Sequence, residues 1–203
     1  MIFRLTHSLS LILCLGVSSS TYAATENVWD IVAWDPPFDY QGQMRPLLYQ
    51  PIEDASKPWH LCVTYPHLKD PYWLSVNYGM VEEVKRLGVN MTVLEAGGYP
   101  QLTTQIEQLK HCTDTASDVI IVGTVSFNGL SPSIRKIAQT TPVVAAVNDI
   151  ENVGISAKAA VSWYTMGQKV GQYLAQRHPV KGANNAKVAW FPGPKESGWV
   201  KFI

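Results

Sequence analysis

From residue 60 onward the chain alternates short apolar runs with amphipathic stretches, the pattern of strands and helices that alternate in a parallel sheet. HLCVTY, His60 to Tyr65, reads as the first strand. Asp70 then stands where a helix is capped and Pro71 at its first position, and Trp73, Val76, Met80, Val84 and Leu87 mark one face until Gly88 stops it. VNMTVLE predicts the second strand and Gly97-Gly98 a turn. Pro100 begins a helix that sets Leu102, Ile106 and Leu109 toward the sheet. Residues 118–123 predict a buried strand, Ser131 and Pro132 the cap of a third helix, and PVVAAVND the fourth strand. The fold class is therefore α/β, built on a parallel sheet.

Three stretches depart from this rhythm. ENVGISAKAAVSW, residues 151–163, predicts a longer connection, and the helix after it is marked by Met166, Val170, Tyr173 and Leu174; a chain crosses into a neighbouring lobe in this way. KVAWFPG then reads as a strand and GPKESGW as the opening of another helix before Ile203. One helix and one strand cannot close a core, so the second lobe is expected to be truncated, with its C-terminal part missing from the sequence. Residues 24–58 are rich in proline, tryptophan and aspartate without a sustained period and predict an extended N-terminal arm. Its Trp29, Trp34, Phe38 and Tyr40 are expected to fasten it across the domain. The expected organisation is a leader at 1–23, the arm at 24–58, a first α/β lobe at 59–150, and a crossover with the start of a truncated second lobe at 151–203.

Composition narrows the classes. The 203 residues are 46% apolar and carry 16 Lys and Arg against 16 Asp and Glu, which leaves no electrostatic footprint for nucleic acid or an anionic membrane surface. At the start, MIFRLTHSLSLILCLGVSSSTYA places Arg4 before an apolar run from Leu9 to Val17, then a polar stretch and the small Ala23, which is the plan of a secretory signal peptide. The run is too short to span a bilayer. Leu13, before Cys14, is too large for lipoprotein processing. The mature chain is thus expected to begin at Ala24 in an oxidising compartment. Export leaves Cys62 and Cys112, with no Cys-x-x-Cys spacing and no metal site expected. One opens a strand and the other closes a helix at the same end of the domain, so a disulfide is the preferred reading and two buried free thiols the alternative.

Ligands of an open parallel sheet bind beyond the carboxyl ends of its strands. The loops expected there are aromatic: Tyr65, Asp70, Tyr72 and Trp73 after the first strand, Tyr99 after the second, GTVSFN after the third, Asn148 and Asp149 after the fourth, with Trp163 and Tyr164 past the crossover. Each ring taken singly is explained by packing, and Trp73 equally well by packing or by a site. The cluster points to a cleft wall. Tryptophans and tyrosines with one carboxylate suit a methylated ammonium centre, whose charge is drawn to ring faces and whose methyl groups leave water readily. A sugar site would call for more Asp, Asn, Arg and Gln. The nucleophile elbow, zinc-protease helix, phosphate loop and dinucleotide motifs are missing from the sequence. No catalytic role and no cofactor are expected. His67, His111 and His178 are scattered and read as surface residues, and the sequon Asn90-Met91-Thr92 as chance.

The strings YPHLKDPYWLSVNYGM, VLEAGGYPQLTTQIEQ, VSWYTMG and FPGP resemble the TorT family of periplasmic binding proteins, from about Trp59 to Pro194. The resemblance implies a type I periplasmic-binding fold related to ribose-binding proteins: a doubly wound parallel sheet in each of two lobes, with no enzymatic activity and a periplasmic location. It implies trimethylamine N-oxide (TMAO) as the small-molecule ligand. It further implies a partner, the periplasmic domain of a membrane sensor histidine kinase that controls the TMAO reductase system. Carried residue by residue, the ligand contacts fall on Tyr72, Trp73 and Trp163, with Asp70 nearby; Tyr99 is added from the loop geometry. Two other classes stay open. One is a transport-type binding protein for a sugar or other small polar solute, since fold does not fix function. The other is a ligand-responsive repressor, disfavoured because a leader and a proline-rich arm occupy the place of its DNA-binding module.

Overall fold

The computed structural model describes residues 28–39, 42–179 and 187–198. The expected leader at 1–23, Tyr40 and the final Trp199–Ile203 lie outside the described residues. Five parallel strands form the central sheet: β3 (His60–Tyr65), β4 (Asn90–Glu95), β5 (Val119–Val122), β6 (Val143–Val147) and β7 (Ile155–Ala160), in the spatial order β4-β3-β5-β6-β7. β3 pairs on one side with β4, His60 opposite Asn90 and Tyr65 opposite Glu95, and on the other with β5, Leu61 opposite Val119.

Alternation along these strands divides the core in two, because successive side chains leave opposite faces of a sheet. Cys62, Ile120, Val122, Val143 and Ala145 point to one face. There they meet Leu109 and Cys112 of α2 (Leu102–Asp114) and Ile134 and Ile137 of α3 (Ser131–Ile137). Val63 and Tyr65 point to the other, where Trp73, Val76 and Met80 of α1 (Pro71–Leu87) cover them. Cys62 and Cys112 are joined in a disulfide, their Cα atoms 5.7 Å apart and 50 residues apart in sequence.

The ends of α1 follow from its sequence. The Asp70 carboxylate accepts from Trp73 N at 3.0 Å, and Gly88 takes the left-handed conformation, φ 64°, that a β-carbon would disfavour. Asp118 ties the arm to the first strand: one carboxylate oxygen accepts from His60 N at 2.8 Å and the other from Lys57 Nζ at 2.7 Å.

Four expectations are corrected. The arm at 24–58 is not merely extended: β1 (Trp29–Asp35) and β2 (Gln43–Tyr49) form an antiparallel hairpin in which Trp29 faces Tyr49, Ile31 faces Leu47 and Trp34 faces Met44. Such cross-strand pairs stabilise a ribbon whose apolar residues fall on both faces and so give no period-two signal. The connection 151–163 contains β7, which extends the sheet beside β6 with an irregular register at Val143/Val144. Ser131 is not the cap of α3 but its first residue, and its hydroxyl donates to Glu151 Oε2 at 2.5 Å. Residues 187–193 form no strand, since β-structure needs a ladder partner and none pairs with them among the described residues. The helix expected after the crossover is α4 (Trp163–Arg177), capped by Ser162, with Met166, Val170 and Tyr173 half exposed.

Candidate ligand-binding site

The strand order reverses direction between β3 and β5, since the chain runs outward from β3 to β4 and then returns to the other side of β3. The crevice beyond their carboxyl ends is where a doubly wound sheet binds ligands. At that point Trp73, only 2% exposed, lies against Tyr65 with ring centroids 5.4 Å apart. Its indole rests over Gly123, the first residue after β5, where a β-carbon would stand 2.6 Å from Cη2. Gly123 is therefore required by close approach of a ring rather than by its backbone angles.

A chain of hydrogen bonds leads from this ring across the strand ends. Trp73 Nε1 donates to the Tyr99 hydroxyl at 3.2 Å, and Asn148 Nδ2 donates to the same hydroxyl at 3.3 Å and to Thr124 O at 2.8 Å. Asn148 follows Val147, whose φ of 68° is a strained conformation for a β-branched residue and of the kind that clusters at functional sites. Tyr99 is placed by the turn before it: Gly97 and Gly98 have φ of 94° and 141°, Gly98 N donates to Pro66 O, and Lys69 Nζ donates to Gly97 O. Behind the strand ends, buried Gln105 donates to Thr64 Oγ1 and Gly123 O and accepts from Val125 N, which fixes the loop after β5.

His67 is not a surface residue. Its side chain is 13% exposed, its ring meets Tyr99 edge-on at 5.5 Å, and its Nε2 lies 3.7 Å from Asp70 Oδ2. Tyr72 is half exposed and sets its ring edge-on to Trp73 at 6.0 Å. Burial raises the phenol pKa of Tyr72, with nearby Tyr99 adding to the shift. Burial also raises that of Tyr99, partly offset by the hydrogen bonds from Asn148 and Trp73. Both groups are neutral at ordinary pH, available for hydrogen bonding without charge. Asp70, Tyr72, Trp73 and Tyr99 therefore form one corner.

Trp163 stands on another element, the first turn of α4. It lines a crevice of about 580 Å³ together with Tyr164 and Gln168 of α4, Trp34 and Met44 of the hairpin, and Asp149. Asp149 follows Asn148 directly, so consecutive residues join the corner to the crevice. Asp149 Oδ1 pairs with Lys158 Nζ at 2.5 Å, both side chains 5% exposed. Lys158 Nζ also donates to Ile150 O and Asn152 Oδ1, each at 2.8 Å, which gives the buried ammonium three acceptors. Among the described residues no three His, Cys, Asp or Glu side chains gather as metal ligands, and no helix is long and apolar enough to cross a membrane.

Sequence reasoning missed His67, Gln105, Lys158 and Met44 as parts of this region. Gln105 left one trace, a polar residue inside the apolar stripe of Leu102, Ile106 and Leu109. The rest depend on contacts between distant segments.

Four similarities bear on this site. Residues 58–201 match the family model described as periplasmic binding proteins and sugar binding domain of the LacI family. The periplasmic protein TorT of Escherichia coli K12 is 42% identical over 149 residues, which is 72% of this chain and 42% of that protein. A solute-binding protein of an ABC transporter from Bradyrhizobium sp. BTAi1, solved with bound Bis-Tris, is 48% identical, superposes with a TM-score of 0.73 and is matched over 85% of this chain and 52% of that one. The complex of the TorS sensor domain with TorT in the presence of TMAO gives 46% identity and a TM-score of 0.55 over 60% of this chain and 43% of that one. The chain thus spans between two-fifths and about half of the length of these relatives.

Proposed function

The chain belongs to the family of periplasmic binding proteins and LacI-type sugar-binding domains, and from that membership we propose that it is a periplasmic, non-enzymatic sensor of TMAO. In this reading it regulates a membrane sensor histidine kinase that controls a TMAO reductase system, and its partner surface is the periplasmic domain of that kinase. The observation that carries the reading is the 42% identity to Escherichia coli TorT over 149 residues, joined by 46% identity to a TorT solved in complex with the TorS sensor domain in the presence of TMAO.

The chemistry agrees with the assignment. TMAO is neutral overall, with positive charge on a nitrogen wrapped in methyl groups and negative charge on oxygen. Ring faces suit the methylated end and a hydrogen-bond donor suits the oxide. Trp73 and Trp163 would supply rings, Tyr72 and Tyr99 neutral phenols, and Asp70 a nearby carboxylate.

A second reading, transport of a small polar solute, is favoured by one observation: the 48% identity to the Bradyrhizobium transporter protein that holds Bis-Tris. Calorimetric titration separates the two, using the chain at the length the cell makes it, with TMAO, trimethylamine, Bis-Tris and ribose. The sensor reading expects TMAO to bind and the kinase domain to co-sediment with the chain. Tight binding of ribose or Bis-Tris with none of TMAO overturns it.

A further inference from the structure

The match to the family begins at residue 58, yet the crevice that contains Trp163 has a wall built from residues before that point. We propose that the hairpin β1–β2 is part of the solute site, with Trp34 and Met44 as specificity-determining residues that admit a small neutral dipolar solute with an alkyl surface. The inference rests on the solute-binding reading of the same site and adds to it an element and a selection rule.

Three observations support it. The first is the composition of the walls. Trp34 and Met44 stand on the hairpin side, Trp163 and Tyr164 on the α4 side, so two indoles, a phenol and a thioether line a half-open crevice of about 580 Å³, with Met44 and Tyr164 largely exposed. Rings of this kind hold alkylated nitrogen by their faces, and the thioether adapts to an irregular apolar surface.

The second is the charge. Among the described lining residues Asp149 is the one ionisable carboxylate or ammonium, and it is closed by Lys158 in an ion pair that is nearly dry. The described lining therefore carries no net charge. A bare cation would shed its hydration there without a net anion to replace it. A neutral solute with an internal dipole loses less on entry, and Thr165 and Gln168 line the crevice with groups able to hydrogen-bond its polar end.

The third is the fixing of the hairpin, because a wall selects by size only if it cannot swing away. At its turn Phe38 packs against the main core cluster, its ring lies 5.8 Å from Lys158 Nζ, and its carbonyl accepts from Asn152 Nδ2 at 3.1 Å. Beyond β2, the Arg86 guanidinium donates to Ile52 O at 2.7 Å and to Glu53 O at 2.9 Å. The hairpin is thus held at its turn and just after its second strand. The same Lys158 that neutralises Asp149 also holds the turn, so the electrostatics of the crevice and the position of its wall depend on one side chain.

The test is calorimetry on the chain at its cellular length, unmodified and as Trp34→Ala and Trp34→Phe, with TMAO, tetramethylammonium and ribose as titrants. The unmodified chain should bind TMAO more tightly than tetramethylammonium. Trp34→Ala should lose about tenfold or more in TMAO affinity, and Trp34→Phe should retain most of it. Trp34 belongs to neither core cluster but faces Met44 across the hairpin, so circular dichroism should show both variants folded, with a modest fall in melting midpoint for Trp34→Ala and a smaller one for Trp34→Phe. If the unmodified chain binds none of these solutes, or ribose alone, the TMAO reading falls and this inference with it. If it binds TMAO and Trp34→Ala binds equally well, or if tetramethylammonium binds more tightly, this inference alone is overturned.

Discussion

Trp73 and Gly123 approach so closely that a β-carbon on the glycine would stand 2.6 Å from Cη2 and 2.8 Å from Cζ3 of the indole. The contact joins α1 to the end of β5 at the point where the strand order reverses, and Trp73 passes it on through Nε1 to Tyr99. Gly123→Ala should therefore push the indole out of place at a cost of about 1–3 kcal/mol, the usual penalty of overpacking. TMAO affinity should fall with it, because Tyr99 loses the Trp73 donor and keeps only that of Asn148 among the two described above. Chemical denaturation and calorimetry on the same variant read the two effects; unchanged stability would show that the ring can shift freely.

Trp73 and Trp163 are expected to separate stability from binding. Removing the buried Trp73 ring by alanine substitution should cost about 3–5 kcal/mol, as for large core aromatics. Trp163 stands in a crevice wall, so Trp163→Ala should lower the melting midpoint less and affinity by about tenfold or more. Equal stability losses with affinity unchanged in both folded variants would make both rings packing residues.

The bond between Cys62 and Cys112 closes a loop of 50 residues. Loop entropy predicts a contribution of about 4 kcal/mol to stability. Mass measurement after alkylation without reductant should find no modified thiol at either position, and reduction should lower the denaturation midpoint. Alkylation of both thiols in the folded, unreduced chain would refute the pairing.

Asp70 accepts from Trp73 N as the cap of α1 and lies beside His67. Asp70→Ala should cost about 1 kcal/mol as a lost cap. If the carboxylate also serves the ligand, affinity falls as well; a stability loss with unchanged TMAO affinity limits Asp70 to capping.

Burial raises the Tyr65 phenol from its ordinary 10.0 to about 12. The unfolded chain then gives up this proton first. The contribution of Tyr65 to stability is complete below pH 10 and is lost as pH rises from 10 to about 12. Tyr72 and Tyr99 shift in the same direction. Phenolate absorbance followed against pH in folded chain should therefore show a late-titrating class of tyrosines, and its absence would contradict their burial.

Much of the fold is local and was legible in order along the chain. The first four strands of the sheet, the cap at Asp70, the stop at Gly88 and the helix after the crossover follow from short-range rules: apolar period, cap chemistry and the freedom of glycine at positive φ. The corner formed by Asp70, Tyr72 and Trp73 was legible for the same reason, since all three lie within one turn of a predictable helix start.

What the tertiary structure alone decided depends on pairing between distant segments. The hairpin carried no readable period because apolar residues occupy both of its faces, and β7 lay hidden in a connection of small residues that becomes a strand only beside β6. His67 looked like a surface residue until Tyr99 covered it. Asn148 meets Tyr99, and Lys158 meets Asp149 and the hairpin turn, only because the order β4-β3-β5-β6-β7 brings those strand ends to one edge. Sequence set which elements could form, because their causes lie within a few residues; the site needed the sheet, because Trp73 meets Tyr99 across 26 residues, Asn148 meets Tyr99 across 49 and Asn152 meets Phe38 across 114, and only packing brings them into reach.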